Sequence, residues 1–184
     1  YSQKSYNLNY TLAGSGDSVV LLHGMIGSAR YWNKLLAYLD RYQVCAIDLL
    51  GFGLSPKPKE ASYDLELHAL SVLKTLESAN ISGPIILVGH SMGALIGLHI
   101  AAIRPGLVKK LLLVNPPLFS NQKIAEEYIL KSRSMPKALL YGPTARFVCS
   151  TFCKFPPSRR LMPLYFRDLQ HEVPRYGLRS PVLS

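Results

Sequence analysis

The sequence predicts an α/β fold in which a mostly parallel sheet is flanked by helices. Short, continuous apolar runs recur along the chain, and segments with helical spacing of apolar residues lie between them. Continuous apolar runs are typical of strands that are buried on both faces. We therefore expect helices on both sides of the sheet and functional loops at the carboxyl ends of its strands. The buried strands are predicted at 18–22, 43–47, 85–88 and 111–114.

The remaining elements follow from capping residues and apolar spacing. Residues 4–12 alternate weakly and predict a first strand, which leads through a turn at 14–17 into the next one. Ser28 is expected to cap a helix over 29–39, and Ser62 to cap a second helix. The predicted buried stripe of this second helix consists of Leu65, Ala69, Val72, Leu73 and Leu76.

The chain divides into two predicted regions. Residues 1–119 read as the N-terminal part of an α/β core. After residue 120 the strand signal stops, and short helical segments broken by prolines follow. We expect 120–184 to form a helical cap or lid over the carboxyl-terminal edge of the sheet, with the last core strands missing from the chain.

Positive charge is concentrated in the second region. The net charge is +3 over 1–119 and +7 over 120–184, from a total of +10. The excess is compatible with contact to an anionic membrane surface, with an acidic substrate or partner, or only with solubility. No nucleic-acid recognition motif accompanies the charge, so we expect no nucleic-acid partner.

Cysteine usage and apolar run lengths predict a cytoplasmic protein. No apolar run approaches the ~20 residues of a membrane span, and the N-terminus lacks the regions of a signal peptide. The three cysteines do not form a disulfide framework, and Cys45 is expected in the core. Cys149 and Cys153 have helical spacing but no further ligand nearby, so we expect neither a metal nor a cofactor. The start at Tyr1 indicates a processed form or an excerpt.

One motif indicates a catalytic serine. Gly89-His90-Ser91-Met92-Gly93 lies between an apolar strand and a helix-like pattern and matches G-x-S-x-G. A serine on such a sharp turn has a strained backbone and a hydroxyl that points out of the sheet. The residues two before and two after it would collide across the turn unless they were glycine. The alternative interpretation is a glycine-rich turn with an exposed serine.

Three segments at successive strand ends resemble motifs of the α/β-hydrolase superfamily, over about residues 6–119. Within it the chain is most similar to small capped esterases, lactonases and carbon–carbon bond hydrolases. A serine at the turn differs from the dehalogenase and epoxide-hydrolase branches, which place an aspartate there. The matching segments are His23-Gly24-Met25, Asp48-x-x-Gly51-x-Gly53-x-Ser55 and Gly89-His90-Ser91-Met92-Gly93.

The resemblance implies a role for each matching residue. Ser91 would be the nucleophile. The backbone N–H groups of Met92 and Met25 would form an oxyanion hole, and His23 and Gly24 would shape the loop that carries one of these donors. Each donor of such a hole contributes about 10²–10³ in rate.

The acid and base of the superfamily's triad have no match. In these proteins they follow the serine on loops after two further strands. Asn115 follows the strand at 111–114 where an acid would be expected, and the last histidine is His171, inside the predicted cap. His171 with Asp168 or Glu172 is an alternative, but a solvated cap helix is the simpler interpretation. We therefore expect the general base to be missing from this chain.

The other polar candidates have simpler interpretations. His90 is expected to line the pocket, since consecutive residues in a tight turn point apart. His68 and His99 lie on predicted helices and are expected to be packed or at the surface. The glycine-rich surroundings of Asp48 indicate a turn-holding role rather than the triad acid.

Loss of the last strands would leave the strand at 111–114 as an exposed apolar edge. Such edges pair or aggregate. We therefore expect a C-terminal companion segment, a dimer through 111–114, or a longer gene product.

Two classes of function remain. The first is a serine hydrolase that cleaves a carboxylic ester, thioester or lactone of a small-molecule acyl substrate through an acyl-Ser91 intermediate. Carbon–carbon bond hydrolysis or acyl transfer on the same scaffold is an alternative within this class, because fold and motif do not separate these reactions. The second class is a non-catalytic binding or regulatory module that retains the fold.

Overall fold

The computed structural model describes residues 4–25, 27–121 and 123–124. The predicted cap over 120–184 lies outside the described residues except at 120, 121, 123 and 124. Outside them also lie five residues considered above: Cys149, Cys153, Asp168, His171 and Glu172.

Five strands form one sheet in the order β1-β3-β2-β4-β5. β1 is antiparallel to β3, and all the other pairs are parallel, which confirms the predicted mostly parallel sheet. β1 is shorter and begins later than the predicted strand at 4–12. The strands are β1 (Tyr10–Ala13), β2 (Ser18–Leu22), β3 (Gln43–Ile47), β4 (Ile85–His90) and β5 (Val108–Val114).

Three α-helices connect the strands: α1 (Asn33–Leu36), α2 (Leu65–Ser78) and α3 (Met92–Ile103). A 3₁₀ turn over Ala29–Trp32 precedes α1, so the helix predicted over 29–39 consists of a 3₁₀ turn and a single α-helical turn that ends at Leu36. Neither turn has a side-chain cap or an acidic first turn, and the buried Trp32 holds them to the sheet by packing. None of the described helices is long and apolar enough to cross a membrane.

Neither serine that was predicted to cap a helix accepts a capping hydrogen bond with its hydroxyl. Ser28 occupies the position before the 3₁₀ turn, but its hydroxyl makes no capping bond. α2 is capped by Asp64, whose Oδ1 accepts the Leu67 N–H at 2.7 Å. The Ser62 hydroxyl donates to the other Asp64 oxygen. The Asp64 carboxylate caps the helix in place of the Ser62 hydroxyl because a charged acceptor forms the stronger hydrogen bond.

The core has two layers, one on each face of the sheet. Alternate residues of each inner strand belong to different layers, so that Val20 and Leu22 pack towards α2 and α3 while Val19 and Leu21 pack towards Trp32. Burial on both faces explains why these strands are continuously apolar. The predicted stripe of α2 lies within the first layer, with Leu65 at its margin, and Cys45 is fully buried there.

β5 is longer than predicted and more exposed. It begins at Val108 and includes Lys109 and Lys110, and among the described residues it pairs with β4 alone. Leu112 and Val114 are 48% and 41% exposed, on the face away from α3. The expected companion segment or dimer at 111–114 stays a prediction.

Candidate active site

Ser91 is the turning point between β4 and α3. Its backbone has φ 52° and ψ −116°, a region that residues other than glycine rarely adopt. The Ser91 N–H donates to the Val114 carbonyl at 2.9 Å, and the Ser91 carbonyl accepts the Ala94 N–H at 2.9 Å. The strained turn is therefore held from both sides, by the end of β5 and by the first turn of α3.

The two glycines of the motif are required for different reasons. A Cβ at Gly89 would overlap the backbone of Gly93, with 2.7 Å to the Ala94 Cα, so the predicted collision across the turn is confirmed there. A Cβ at Gly93 would instead meet the end of β2, with 2.6 Å to the carbonyl oxygen of His23. Gly93 thus brings α3 against the neighbouring strand rather than closing the turn itself.

His23 is fully buried at the end of β2, and both of its ring nitrogens bind backbone groups. The Leu49 N–H donates to Nε2 at 2.9 Å, and Nδ1 lies 2.7 Å from the Gly24 carbonyl oxygen. Because Nε2 must accept a hydrogen bond, the proton of the neutral ring lies on Nδ1 and is donated to Gly24. Burial lowers the pKa of His23 to about 4, so the ring is neutral at neutral pH.

Gly24 brings the β2 loop into contact with the serine turn. A Cβ at this position would lie 3.1 Å from the Ser91 Cβ and 2.8 Å from Nδ1 of His90. The structure therefore places the first and third matching segments side by side. A methyl group at this position would therefore require the side chains of His90 and Ser91 to shift.

The Asp48 carboxylate joins three segments around the site. Oδ1 accepts the Ala29 N–H at 2.7 Å, and Oδ2 accepts the Leu54 N–H and the Asn9 side-chain amide, each at 2.9 Å. Asp48 is buried, so each of these bonds replaces lost hydration. This is a turn-holding role, and it includes the start of the 3₁₀ turn that Ser28 was expected to cap.

The ring of Tyr31 stacks on the ring of His90, an arrangement that sequence analysis did not find. The ring centroids are 5.0 Å apart with an interplanar angle of 16°, and Trp32 meets Tyr31 edge-on at 4.8 Å. Burial lowers the pKa of His90. The sequence feature that could have indicated this stack is the adjacent pair Tyr31-Trp32. Only Trp32 fits the apolar stripe of the predicted helix, so Tyr31 was left without a role.

The backbone N–H groups of Met25 and Met92 make no hydrogen bond with the described part of the chain. Met92 is the first residue of α3, where an N–H has no partner within the helix and carries part of the positive end of its dipole. Its side chain is buried in the core, whereas that of Met25 is half-buried.

Within the described residues, no histidine is hydrogen-bonded to Ser91 as a general base would be. No described histidine ring forms a hydrogen bond with the Ser91 hydroxyl. His68 is buried on α2, with Nδ1 lacking a described partner, and His99 is half-buried on α3. Between residues 4 and 124, as far as they are described, no three metal-ligating side chains cluster.

Comparison with known proteins places this geometry among hydrolases. A family model described as alpha/beta hydrolase fold matches residues 17–140. The chain is similar to "Probable lysophospholipase BODYGUARD 4" of Arabidopsis thaliana, with 32% identity covering 82% of this chain and 39% of that protein. It is also similar to "Lipase LipV" of Mycobacterium tuberculosis, with 37% identity covering 55% of this chain and 38% of that protein.

Among solved structures, a marine microorganism esterase superposes with a TM-score of 0.59 and 25% identity. The superposition covers 94% of this chain and 62% of that one. The chain therefore spans less than two fifths of the length of the two curated relatives, and somewhat under two thirds of the esterase structure.

Proposed function

Since the chain belongs to the alpha/beta hydrolase fold family, we propose that it is a serine hydrolase that cleaves carboxylic ester, thioester or lactone bonds through an acyl-Ser91 intermediate. The observation that carries the proposal is the strained backbone of Ser91 between β4 and α3. Such a conformation costs on the order of 1–3 kcal/mol and persists where the surrounding structure enforces it, which is common at catalytic residues. The similar proteins named lysophospholipase, lipase and esterase support ester hydrolysis.

In the proposed reaction, a base removes the Ser91 hydroxyl proton while Oγ attacks the acyl carbon. The carbonyl oxygen becomes an oxyanion, and the bond to the leaving alcohol, thiol or ring oxygen then breaks as the base returns the proton to it. Water next adds to the acyl-Ser91 ester by the same route, which releases the acid and restores the serine.

The proposed donors to the oxyanion are the N–H groups of Met92 and Met25. Both make no hydrogen bond with described residues, and the contact of Gly24 with Ser91 brings the loop of Met25 to the nucleophile. A donor that is already fixed in place needs no reorganisation during the reaction. The start of α3 adds its dipole to the Met92 donor.

We propose that the general base comes from outside the described residues. His23 binds backbone groups through both ring nitrogens, and His90 stacks on the ring of Tyr31; neither ring makes a described hydrogen bond with the Ser91 hydroxyl. The superfamily places its base on a loop that follows a later strand of the core.

We propose an amphiphilic acyl ester as the substrate class. The net charge of +7 over 120–184 favours an anionic group or an anionic lipid surface next to the acyl chain. The name of one relative, "Probable lysophospholipase BODYGUARD 4", is consistent with such a substrate.

Labelling with a fluorophosphonate, read by intact mass, tests the proposal. The probe forms a covalent bond only with an activated serine. When the base is present, from residues after 124 or from a companion segment, we expect one adduct on the wild-type chain and none on Ser91→Ala. Ser78→Ala, which removes an exposed serine of α2, is the matched control and should label like the wild type. An adduct that survives in Ser91→Ala would refute Ser91 as the nucleophile.

A non-catalytic binding module is the second candidate. It is favoured by the absence of a described histidine at the Ser91 hydroxyl. A folded wild-type chain that gains no adduct, alone and with a candidate C-terminal companion segment supplied, would support this candidate against the hydrolase.

A further inference from the structure

The ring of Tyr31 is held in place by two neighbours and still faces solvent. It stacks on His90 with the ring centroids 5.0 Å apart, and it meets Trp32 edge-on at 4.8 Å. Trp32 is 6% exposed, whereas Tyr31 is 45% exposed among the described residues. A ring that its neighbours have already fixed loses little further freedom when a ligand packs on it. Tyr31 therefore offers a preorganised apolar surface.

The stack lies beside the nucleophile. His90 directly precedes Ser91 in the chain, and a Cβ at Gly24 would lie 2.8 Å from Nδ1 of His90 and 3.1 Å from the Ser91 Cβ. The β2 loop thus contacts both residues at once, and the same loop continues into the 3₁₀ turn that carries Tyr31. A substrate whose acyl carbon reaches Ser91 has His90 and the ring stacked on it close by.

The surface is neutral and apolar rather than charged. Nδ1 of His90 is buried without a partner among the described residues, and burial lowers the pKa of the ring, so His90 is uncharged at neutral pH. An alkyl chain can pack on such a surface and exclude water from it. A quaternary ammonium group is typically bound by several ring faces together. Trp32 is buried and one face of Tyr31 is covered by His90, so the surface fits an alkyl chain better than a cation.

We propose that Tyr31 is a specificity-determining residue whose exposed ring face, supported by His90, binds an alkyl chain of the substrate next to the bond that is cleaved. The catalytic part of this inference rests on the proposed function, whereas binding of the chain requires no activity. The chain belongs to the acyl group or to the leaving group, which present the same chemistry to the ring. Probes that carry the chain on one side or the other distinguish the two.

Three variants separate the ring from its surroundings. Tyr31→Phe keeps the ring and the stack, whereas Tyr31→Ala removes both. Tyr38→Ala is the control, because Tyr38 is 80% exposed and makes no described ring contact. All measurements are made at pH 8, where His90 is essentially uncharged even at its ordinary pKa of 6.5, so a change in its charge does not contribute.

Binding is measured first, without a reaction. In the isotope-labelled full chain, octanoate should shift the ring resonances of Tyr31 and the amide resonance of Ser91. Acetate, which shares the carboxylate but lacks the chain, should shift neither. The dissociation constant for octanoate, read from the Ser91 amide, should rise about 10-fold in Tyr31→Ala and stay at the wild-type value in Tyr31→Phe and Tyr38→Ala.

Three results of this titration would overturn the proposal. They are the absence of octanoate binding to the wild type, an unchanged dissociation constant in Tyr31→Ala, and a larger shift of the Tyr31 ring with tetramethylammonium than with octanoate.

Fluorophosphonate labelling, with the general base present, then locates the chain. Ser91 Oγ attacks phosphorus, the hydroxyl proton passes to the base, and the P–F bond breaks to release fluoride. An octyl group on phosphorus stands for an acyl chain and an octyloxy group for a leaving group, while a probe with one methyl and one methoxy group is the short reference. Relative to the short reference, the rate with at least one long probe should fall about 10-fold in Tyr31→Ala, and that probe identifies the chain.

The ratio of rates separates specificity from structure. A merely structural role of Tyr31 lowers the rates of all three probes together and leaves both ratios unchanged, which would overturn the proposal. If the wild type gains no adduct although the base is present, the proposed function fails, and the octanoate titration still decides whether Tyr31 binds an alkyl chain.

Discussion

The backbone N–H of Ser91 donates to the carbonyl of Val114, the last residue of β5, at 2.9 Å. The serine turn is therefore hydrogen-bonded to β5, the outermost described strand on that side of the sheet. β4 and β5 also pair from Ile85 beside Val108 to His90 beside Val114, with one register shift between Ile85 and Ile86. The position of the nucleophile thus depends on the packing of neighbouring strands as well as on its own motif.

Gly93→Ala should distort the site and lower stability by about 3 kcal/mol, since the new methyl group would meet the carbonyl groups of Leu22 and His23. Gly97→Ala is the matched control on the same helix. Its Cβ would meet only the side-chain ends of Leu111 and Leu87, at 3.3 and 3.4 Å, so stability should stay within about 1 kcal/mol of wild type. Urea unfolding measures both, and equal losses would contradict the assignment of the clash.

Tyr31→Ala should raise the pKa of His90 towards its ordinary value. The stacked Tyr31 ring shields the imidazole, and its removal lets water stabilise the charged form. Tyr31→Phe keeps the stack and should leave the pKa unchanged. So should Tyr38→Ala, which removes a tyrosine that is 80% exposed. NMR titration of His90 gives the answer, and an unchanged pKa in Tyr31→Ala would show that other groups bury the ring.

Stability should fall as the pH drops below about 6.5. His23 and His68 have pKa values of about 4 in the folded chain against an ordinary value of 6.5, so the unfolded chain binds protons first. The stability due to each neutral ring is complete above 6.5 and is lost progressively down to about 4. Each ring contributes a slope of about 1.4 kcal/mol per pH unit in this window.

His68→Leu tests the share of one ring. It removes one of the two titrating groups without changing a described hydrogen bond, so the slope of unfolding free energy against pH should fall by about 1.4 kcal/mol per pH unit. Urea unfolding at several pH values measures the slope. A slope equal to that of the wild type would mean that His68 does not resist protonation in the folded chain.

Asp64→Ala should cost about 1 kcal/mol, because the Leu67 N–H at the start of α2 loses its acceptor. Ser62→Ala should change stability by less than about 0.5 kcal/mol, since the exposed Ser62 hydroxyl contacts the carboxylate and caps no N–H itself. Thermal unfolding of the two variants distinguishes these caps. A larger loss in Ser62→Ala would favour the serine that sequence analysis chose.

The sequence by itself determined the inner strands, their order along the chain and the serine turn. Apolar runs such as 18–22 and 85–88 are buried on both faces, and glycine spacing around Ser91 reflects steric limits that act within a few residues. These are local properties, so they can be read from neighbours in the chain. The weakly alternating first strand and the helix over 29–39 were placed less well because packing, not local propensity, defines them.

Only the tertiary structure decided what surrounds the serine. The bond of His23 to Leu49, the bond of Asp48 to Ala29 and the stack of Tyr31 on His90 each join residues that are distant in sequence. They form because parallel strands bring their carboxyl ends to one edge of the sheet. Hydrogen-bond direction and burial, which select the neutral form of His23, exist only once those strand ends have met.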